Sequence, residues 1–395
     1  MKPLCSLKVL DLTDGNPYTG SMFADYGADV LKIENPHGGD SIRRRGAKDG
    51  EEGIYQAFYN RGKKSMTLDI SKSAGGEVLK RLVPHFDMLV VNKPEDEMKK
   101  LGLGYEDLKA VNSKLIYGVL TPYGESGPWK DMPDYDLLIN SRSGLQEKTG
   151  FPERPTKFGF PLAYIYSSWH LSAGMLAAYL KSQETGEGMK VSVSVWHTMV
   201  SLDDTFVEGL LGMNTLPKRI GNGFPTTNPT DTFRCKDGWF SLSIGSDVQW
   251  INFAKCAGNN VWAEDPRYAH DPARSMENYF GDLDQQLRDY FATITIEEAD
   301  MICREAMVPG GPCNTFKELA SDAQVEDRKM LVHIQDPKAG DTLQIGRAAK
   351  FIGGSEDGDD AIAPAPVLGA DTENYLKELG IIGEKMEHMR AEGII

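Results

Sequence analysis

The sequence predicts an α/β fold, with a large, doubly wound parallel-sheet domain followed by a smaller α+β domain. Three observations carry that expectation. Short apolar strands alternate with helix-compatible stretches up to about residue 200. The texture changes from about Gly221, where a hairpin pattern precedes several helical segments. The chain has 395 residues, more than one ordinary core accommodates.

The elements follow in order. Leu7–Leu12 alternates and runs into the turn Thr13-Asp14-Gly15-Asn16-Pro17, so it reads as a strand ending in a loop. Thr19–Tyr26 is helix-compatible and Ala28–Ile33 is a second strand, giving a β-α-β unit of the kind that builds parallel sheets. Ser65–Leu68, Met88–Val91 and Leu115–Leu120 are further strands, separated by helical patterns at Ser73–Leu82 and from Tyr105. Ser168–Lys181, rich in small residues, predicts a buried packing helix. It is stopped by Thr185-Gly186-Glu187-Gly188 before the strand Lys190–Val195.

In the second half, Asp231–Ile244 predicts a hairpin turning at Lys236-Asp237-Gly238. Helices are expected at Val248–Cys256, Glu277–Phe291 and Ile296–Met307, and a last one at Thr372–Leu379 after the extended Ala363–Gly369. The expected organisation is a large domain over 1–205 completed by 330–395, a linker at 206–221, and a small α+β domain at 222–325. The run Glu356–Asp360 predicts a solvated loop, and Asp203 and Asp204 a helix surface.

Composition excludes several classes. The net charge of −15 disfavours nucleic-acid and anionic-membrane partners. No apolar run approaches the roughly 20 residues that cross a bilayer, and the start has no signal-peptide pattern. Five scattered cysteines without a CxxC spacing predict reduced thiols in a cytoplasmic protein. Seven dispersed histidines with no HxxxH pair predict no metal site. No strand is followed by GxGxxG or a Walker A loop, so a nucleotide would need another cradle.

Several segments share one order along nearly the whole chain. They include Val9-Leu10-Asp11-Leu12-Thr13, Ala24–Glu34, Asn60–Asp69, Tyr123–Pro128, Tyr135-Asp136 with Ser143-Gly144, and Glu184–Gly188. Val308–Thr315 and Ala365–Gly369 continue the series. Together they resemble the class III CoA-transferases, the formyl-CoA transferase and carnitine CoA-transferase (CaiB/BaiF) family. The resemblance implies a Rossmann-like large domain, a small domain and an interlocked dimer in which two ring-like protomers pass through one another like chain links. It also implies coenzyme A chemistry, with CoA moved from an acyl-CoA donor such as succinyl-CoA to a carboxylic acid. In that family an aspartate attacks the thioester, forms a mixed anhydride and then an aspartyl-CoA thioester, which divides one hard exchange into easier steps.

The resemblance also assigns positions. Lys63, Asn92 and Lys100 match family positions that handle CoA, where cations suit its phosphates. The alternative for the lysines is a plain solvated surface. At the reacting centre, Asp14 and Asn16 stand where the family often has a histidine and a glutamine, and Asn140 replaces another glutamine. Counting back from Thr185-Gly186, the nucleophile position falls on Tyr164. Its neighbours Leu162, Ala163, Ile165 and Tyr166 carry no carboxylate, and the nearest along the chain are Glu153 and Glu184. A phenol with a pKa near 10 cannot form the anhydride. No catalytic residue is therefore assigned, and Asn16, Asn140 and Tyr164 are taken as substrate-pocket residues. Tyr18, Tyr166 and Trp169 could favour a bulky acyl group, with core packing as the other use. A Ser167–His170 pair is weighed against a helix N-cap role for Ser167 or Ser168 and packing for His170, and the second reading is preferred. A racemase would need His and Asp where Tyr135 and Tyr164 stand.

The expectation is an aspartate-lacking subunit of a heteromeric, benzylsuccinate-type CoA-transferase, partnered by a homologous aspartate-bearing chain. The alternatives are a CoA-ester-binding homodimer and a self-sufficient, aspartate-independent transferase or thioesterase.

Overall fold

The computed structural model describes residues 2–49, 52–202, 218–224, 227–338, 340–352 and 362–395. The chain divides into two compact units, Met1–Leu145 with Phe158–Asp204 and Glu326–Ile395, and Gln146–Lys157 with Thr205–Val325.

The first unit is built on six parallel strands: β1 (Lys8–Asp11), β2 (Asp29–Glu34), β3 (Lys64–Thr67), β4 (Met88–Val91), β5 (Ile116–Thr121) and β6 (Lys190–Ser194). Their spatial order is β6-β5-β4-β1-β2-β3. This is the 3-2-1-4-5-6 order of a doubly wound sheet, with the reversal between β1 and β4. Leu10 pairs with Leu31 and with Leu89 in register. Alternate side chains point to opposite faces. Leu10, Leu31, Met66 and Leu89 therefore enter one apolar cluster, and Val9, Val30, Met88 and Ile116 enter the other. Burial on both faces is why the central β4 is continuously apolar, while the edge strands β3 and β6 carry Lys and Ser.

Helix α1 (Tyr18–Asp25) supplies Phe23 to the second cluster. Helix α2 (Ser73–Leu82) supplies Val78 and Leu79 to the first. Helix α3 (Asp136–Arg142) precedes the long α4 (Leu162–Thr185), whose Leu171 and Met175 lie on the sheet. A Cβ at Gly118 of β5 would sit 2.3 Å from Met175 Sδ, so α4 packs this closely only over a glycine. Gly186 ends α4 in the left-handed conformation, at φ 75°.

Helix α4 starts six residues earlier than the expected Ser168. Ser167 and Ser168 are therefore buried inside the helix and do not cap it, and the Ser167 hydroxyl donates to the Ala163 carbonyl at 2.7 Å. His170 is exposed, with Nδ1 3.2 Å from the Tyr166 carbonyl. The C-terminal stretch closes the edge of the sheet. Asp371 accepts the Ser65 N–H and Thr372 accepts the Thr67 N–H, both at 2.9 Å, covering edge strand β3. Two helices follow where one was expected, Thr372–Glu378 and Glu384–Ala391, and both bury side chains in the first cluster.

The second unit holds a three-stranded antiparallel sheet of Thr230–Arg234, Trp239–Ser243 and Gly310–Pro312. Its core is aromatic: Phe233 stacks on Phe291 at 4.7 Å, and Trp250, Phe253 and Trp262 pack behind them. The expected single helix Glu277–Phe291 is two, Ala273–Phe280 and Leu283–Ala292. Gly281 weakens the helix, and Asp282 accepts the Tyr268 hydroxyl at 2.6 Å.

Residues 146–157 join the second unit, where the Gly221 N–H donates to the Gly150 carbonyl at 2.9 Å. Asp203, Asp204, residues 206–217 of the expected linker, and the acidic run 356–360 lie outside the described residues.

Candidate active site

In an open α/β sheet, ligands bind beyond the carboxyl ends of the strands where the order reverses. Here that point lies between β1 and β4. A crevice of about 210 Å³ opens there, lined among others by Asp14, Asn35, Asp69, Ser71, Lys93 and Leu101. Asn92, just past β4, clips one wall in place. Its Oδ1 accepts the Asp14 N–H at 3.0 Å and its Nδ2 donates to the Asp14 carbonyl at 2.8 Å. Lys100 is exposed at the end of helix Glu95–Lys100, next to the lining residue Leu101. Lys93 lines the crevice itself and was passed over in the sequence. Its only signal is its place after a buried strand.

Lys63 does not reach this surface. Its ammonium is buried 2.9 Å from Asp11 Oδ2 and 3.1 Å from the Pro17 carbonyl. Its partners lie on β1 and in the loop that follows it. Lys32 joins the same network, 3.3 Å from Asp11 and 2.8 Å from Asp40, and donates to the Thr13 carbonyl. Glu34 takes a two-pronged contact from Arg43 at 2.7 Å per arm and a 2.6 Å hydrogen bond from Ser65. Asp11, Lys32, Glu34, Asp40, Arg43 and Lys63 are all buried, three of each sign.

Burial pushes the Asp11 carboxyl up, but the charges of Lys32 and Lys63 outweigh it and hold the group below the usual range. Burial lowers Lys63, and Asp11 offsets only part of this. Burial also raises Asp40, but Lys32 and the Ile42 and Gly15 amides bring it well below the ordinary carboxylate range. Two buried ammonium groups thus hold the carbonyls of Thr13 and Pro17, at either end of the loop that carries Asn16.

The second part of the site lies at the start of α4. Tyr164 sits in its first turn, and its hydroxyl is buried without a hydrogen-bond partner among the described residues. Asn16, 7% exposed, has an unpartnered Oδ1. Asn140 on α3 donates through Nδ2 to the Asp136 carbonyl at 2.6 Å and to Asp136 Oδ2 at 3.2 Å. Asp136 is buried, and its Oδ1 accepts the Ala163 N–H at 3.3 Å. A carboxylate therefore reaches the start of α4 from another helix. In sequence it is 28 residues from Tyr164 and marked only by its motif Tyr135-Asp136. The Tyr18 ring meets the Tyr59 ring edge-on at 4.7 Å. Burial raises the Tyr18 hydroxyl pKa; Tyr59 and Asp136 add to the rise, and Arg45 opposes it.

Among the described residues no group of three His, Cys, Asp or Glu side chains could hold a metal ion. No described helix is long and apolar enough to cross a membrane.

The sequence profile of CoA-transferase family III matches residues 4–372. The chain belongs to that family. Among curated relatives, it is 32% identical over 348 residues to the succinate–glutarate CoA-transferase of Agrobacterium fabrum, covering 84% of this chain and 85% of that one. It is 27% identical over 401 residues to the succinyl-CoA–L-malate CoA-transferase beta subunit of Chloroflexus aurantiacus, covering 100% and 98%. A crystal structure of a CaiB/BaiF family protein from Brucella suis superposes with a TM-score of 0.84 at 28% identity, covering 96% of this chain and 99% of that one. Family III thus accounts for the doubly wound first unit, and relatives of this chain are named for succinyl-CoA-dependent transfer.

Proposed function

We propose that this protein takes part in moving CoA from succinyl-CoA, or a similar acyl-CoA, to a carboxylic acid, as the aspartate-lacking subunit beside a homologous aspartate-bearing chain. One observation carries the reading. The fold of the family is present, while residues 162–166, where the resemblance places the nucleophile, hold no carboxylate. The curated relative named for succinyl-CoA, itself a beta subunit, supports the donor class and the division of labour.

The exposed apolar side chains of α3 and α4, Leu137, Leu138, Trp169 and Leu180, support burial against a second chain, as the interlocked dimer requires. In this arrangement Lys93 and Lys100 meet the CoA phosphates, Asn92 shapes the crevice wall, and Asn16, Asn140 and Tyr164 face the acyl group.

The test is succinyl-CoA consumption with a panel of carboxylic acids, using the chain alone and the assembly purified from its native cells. Turnover only in an assembly that holds a homologous chain with an aspartate at the Tyr164 position is the expected result. CoA exchange at enzymic rates by the chain alone would overturn the heteromeric part. That second arrangement, a self-sufficient chain, is favoured by one observation, the Asp136 carboxylate against the start of α4.

A further inference from the structure

The loop Thr13–Pro17 is anchored almost residue by residue, from elements far apart in the chain. The Thr13 N–H donates to Asp11 Oδ1 at 3.0 Å, and Lys32 donates to the Thr13 carbonyl. Asn92 holds both the N–H and the carbonyl of Asp14. The Gly15 N–H donates to Asp40 Oδ1 at 2.6 Å, and Arg45 Nη1 donates to the Gly15 carbonyl at 3.1 Å. Lys63 donates to the Pro17 carbonyl at 3.1 Å. Asn16 is different: its side chain is buried, and its Oδ1 has no partner among the described residues. A side chain whose neighbours are fixed in this way is aimed by them.

Asp40 is the link between this loop and the buried charges. Its Oδ1 accepts the Gly15 N–H and also the Ile42 N–H at 2.9 Å, while its Oδ2 lies 2.8 Å from Lys32 Nζ. It therefore ties the residue next to Asn16 to the ion pairs under the crevice, across 25 residues of sequence. The backbone at Gly15 suits only glycine. Its φ is 68°, and a Cβ there would lie 2.7 Å from Ser41 Oγ. Asp40 also lines the crevice, beside Thr13 and Asp14 of the same loop.

We infer that Asp40 is a positioning residue for the transfer: by holding the Gly15 N–H it fixes the direction in which Asn16 presents its amide to the acyl group. The inference rests on the transferase reading. Asp40 touches no reacting atom and acts only through Gly15 and Asn16. A polar group held in place beforehand needs no reorganisation as charge develops beside it. Displacing such a group by about 1 Å costs up to roughly 10²-fold in rate. The effect of Asp40 therefore falls on the reacting step and not on the binding of the CoA portion.

The competing roles for Asp40 are a wall of the crevice and a plain tie in the core, and the test separates all three. Assemblies are purified from native cells in which a variant replaces the natural chain, and are assayed with succinyl-CoA and the acceptor acid that the unaltered assembly uses best. Asp40→Ala is expected to lower kcat by roughly 10²-fold while KM for succinyl-CoA stays within about threefold. Asp40→Asn keeps an oxygen that accepts the Gly15 N–H, and it restores kcat to within roughly tenfold of the unaltered assembly. Gly15→Ala leaves Asp40 and Lys32 paired and repeats the fall in kcat; it decides the matter if Asp40→Ala does not fold. Hydrogen–deuterium exchange of the chain by itself reads the anchoring without turnover. Peptides covering residues 13–17 exchange faster in Asp40→Ala, and those covering β1 do not. A raised KM with kcat retained overturns the inference in favour of a crevice wall. Equal losses in Asp40→Ala and Asp40→Asn, or full turnover in Gly15→Ala, overturn it in favour of a core tie. Unchanged exchange at residues 13–17 overturns it as well, and leaves the transferase reading standing. An unaltered assembly without turnover removes the transferase reading and the inference with it, whatever the exchange shows.

Discussion

The floor of the crevice and the start of α4 differ in how their polar groups are satisfied. Beneath the crevice, Asp11, Lys32, Glu34, Asp40, Arg43 and Lys63 are buried and tied to one another by short ion pairs. At the start of α4 and in the loop before α1, the Tyr164 hydroxyl, Ser168 Oγ and Asn16 Oδ1 are buried with no partner among the described residues. A network of ion pairs holds a shape, and spare hydrogen-bonding capacity awaits a ligand or marks a place under relaxed constraint. The first region, Lys63 included, is cross-linked by buried ion pairs. The second leaves buried polar atoms unpartnered among the described residues, at the position where the family resemblance places the nucleophile.

The largest effect that would break this contrast is on the scaffold side. Lys63→Met strips Asp11 of its nearer cation and is expected to cost about 3–5 kcal/mol, since a buried charge is left partly uncompensated. Denaturant unfolding of the first unit measures it. A cost below about 1 kcal/mol would mean that the pair is not buried in solution.

A control of similar size lies in the second unit. Phe291→Ala removes a stacked core ring and should cost about 3–5 kcal/mol there. Its unfolding transition moves, while that of the first unit is unchanged.

Acid sharpens the same contrast. Asp11, Glu34 and Asp40 have folded-state pKa values below their ordinary ones. Their contribution to stability is fully present above the ordinary carboxyl range, near pH 4. It is lost as pH falls from there through the lowered folded values. A pH series of unfolding midpoints should show the first unit weakening below about pH 4, more steeply in unaltered protein than in Asp40→Asn.

Smaller effects belong to the open surface. Lys100→Ala removes an exposed cation beside the crevice and should weaken CoA binding roughly threefold, less at high salt. Calorimetry at two ionic strengths reads it. The smallest effect is expected from Tyr164→Phe. The lost hydroxyl has no protein partner, so stability changes by less than about 1 kcal/mol. A tenfold fall in turnover would instead place that hydroxyl on the reacting groups.

Much of this was legible in the chain. All six parallel strands stand where the sequence marked them, and β4 and β5, buried along their whole length, carry the clearest apolar pattern. The hairpin around Lys236-Asp237-Gly238 was equally plain. Other features were hidden. The true start of α4 was missed because its small and aromatic residues carry no cap signal, and Pro161 stands at the cap without a side-chain bond. The final helix Glu384–Ala391 was missed because its surface is strongly polar and only Met386 and Met389 are buried.

Sequence by itself determined the family, the strand set and the absence of a carboxylate at residues 162–166, since each is local information. Tertiary structure alone decided which polar groups meet. It turned Lys63 inward to Asp11, across 52 residues, and brought Asp136 to Ala163, across 27. Such contacts depend on where strand ends and helix starts converge in space, and no local pattern encodes that.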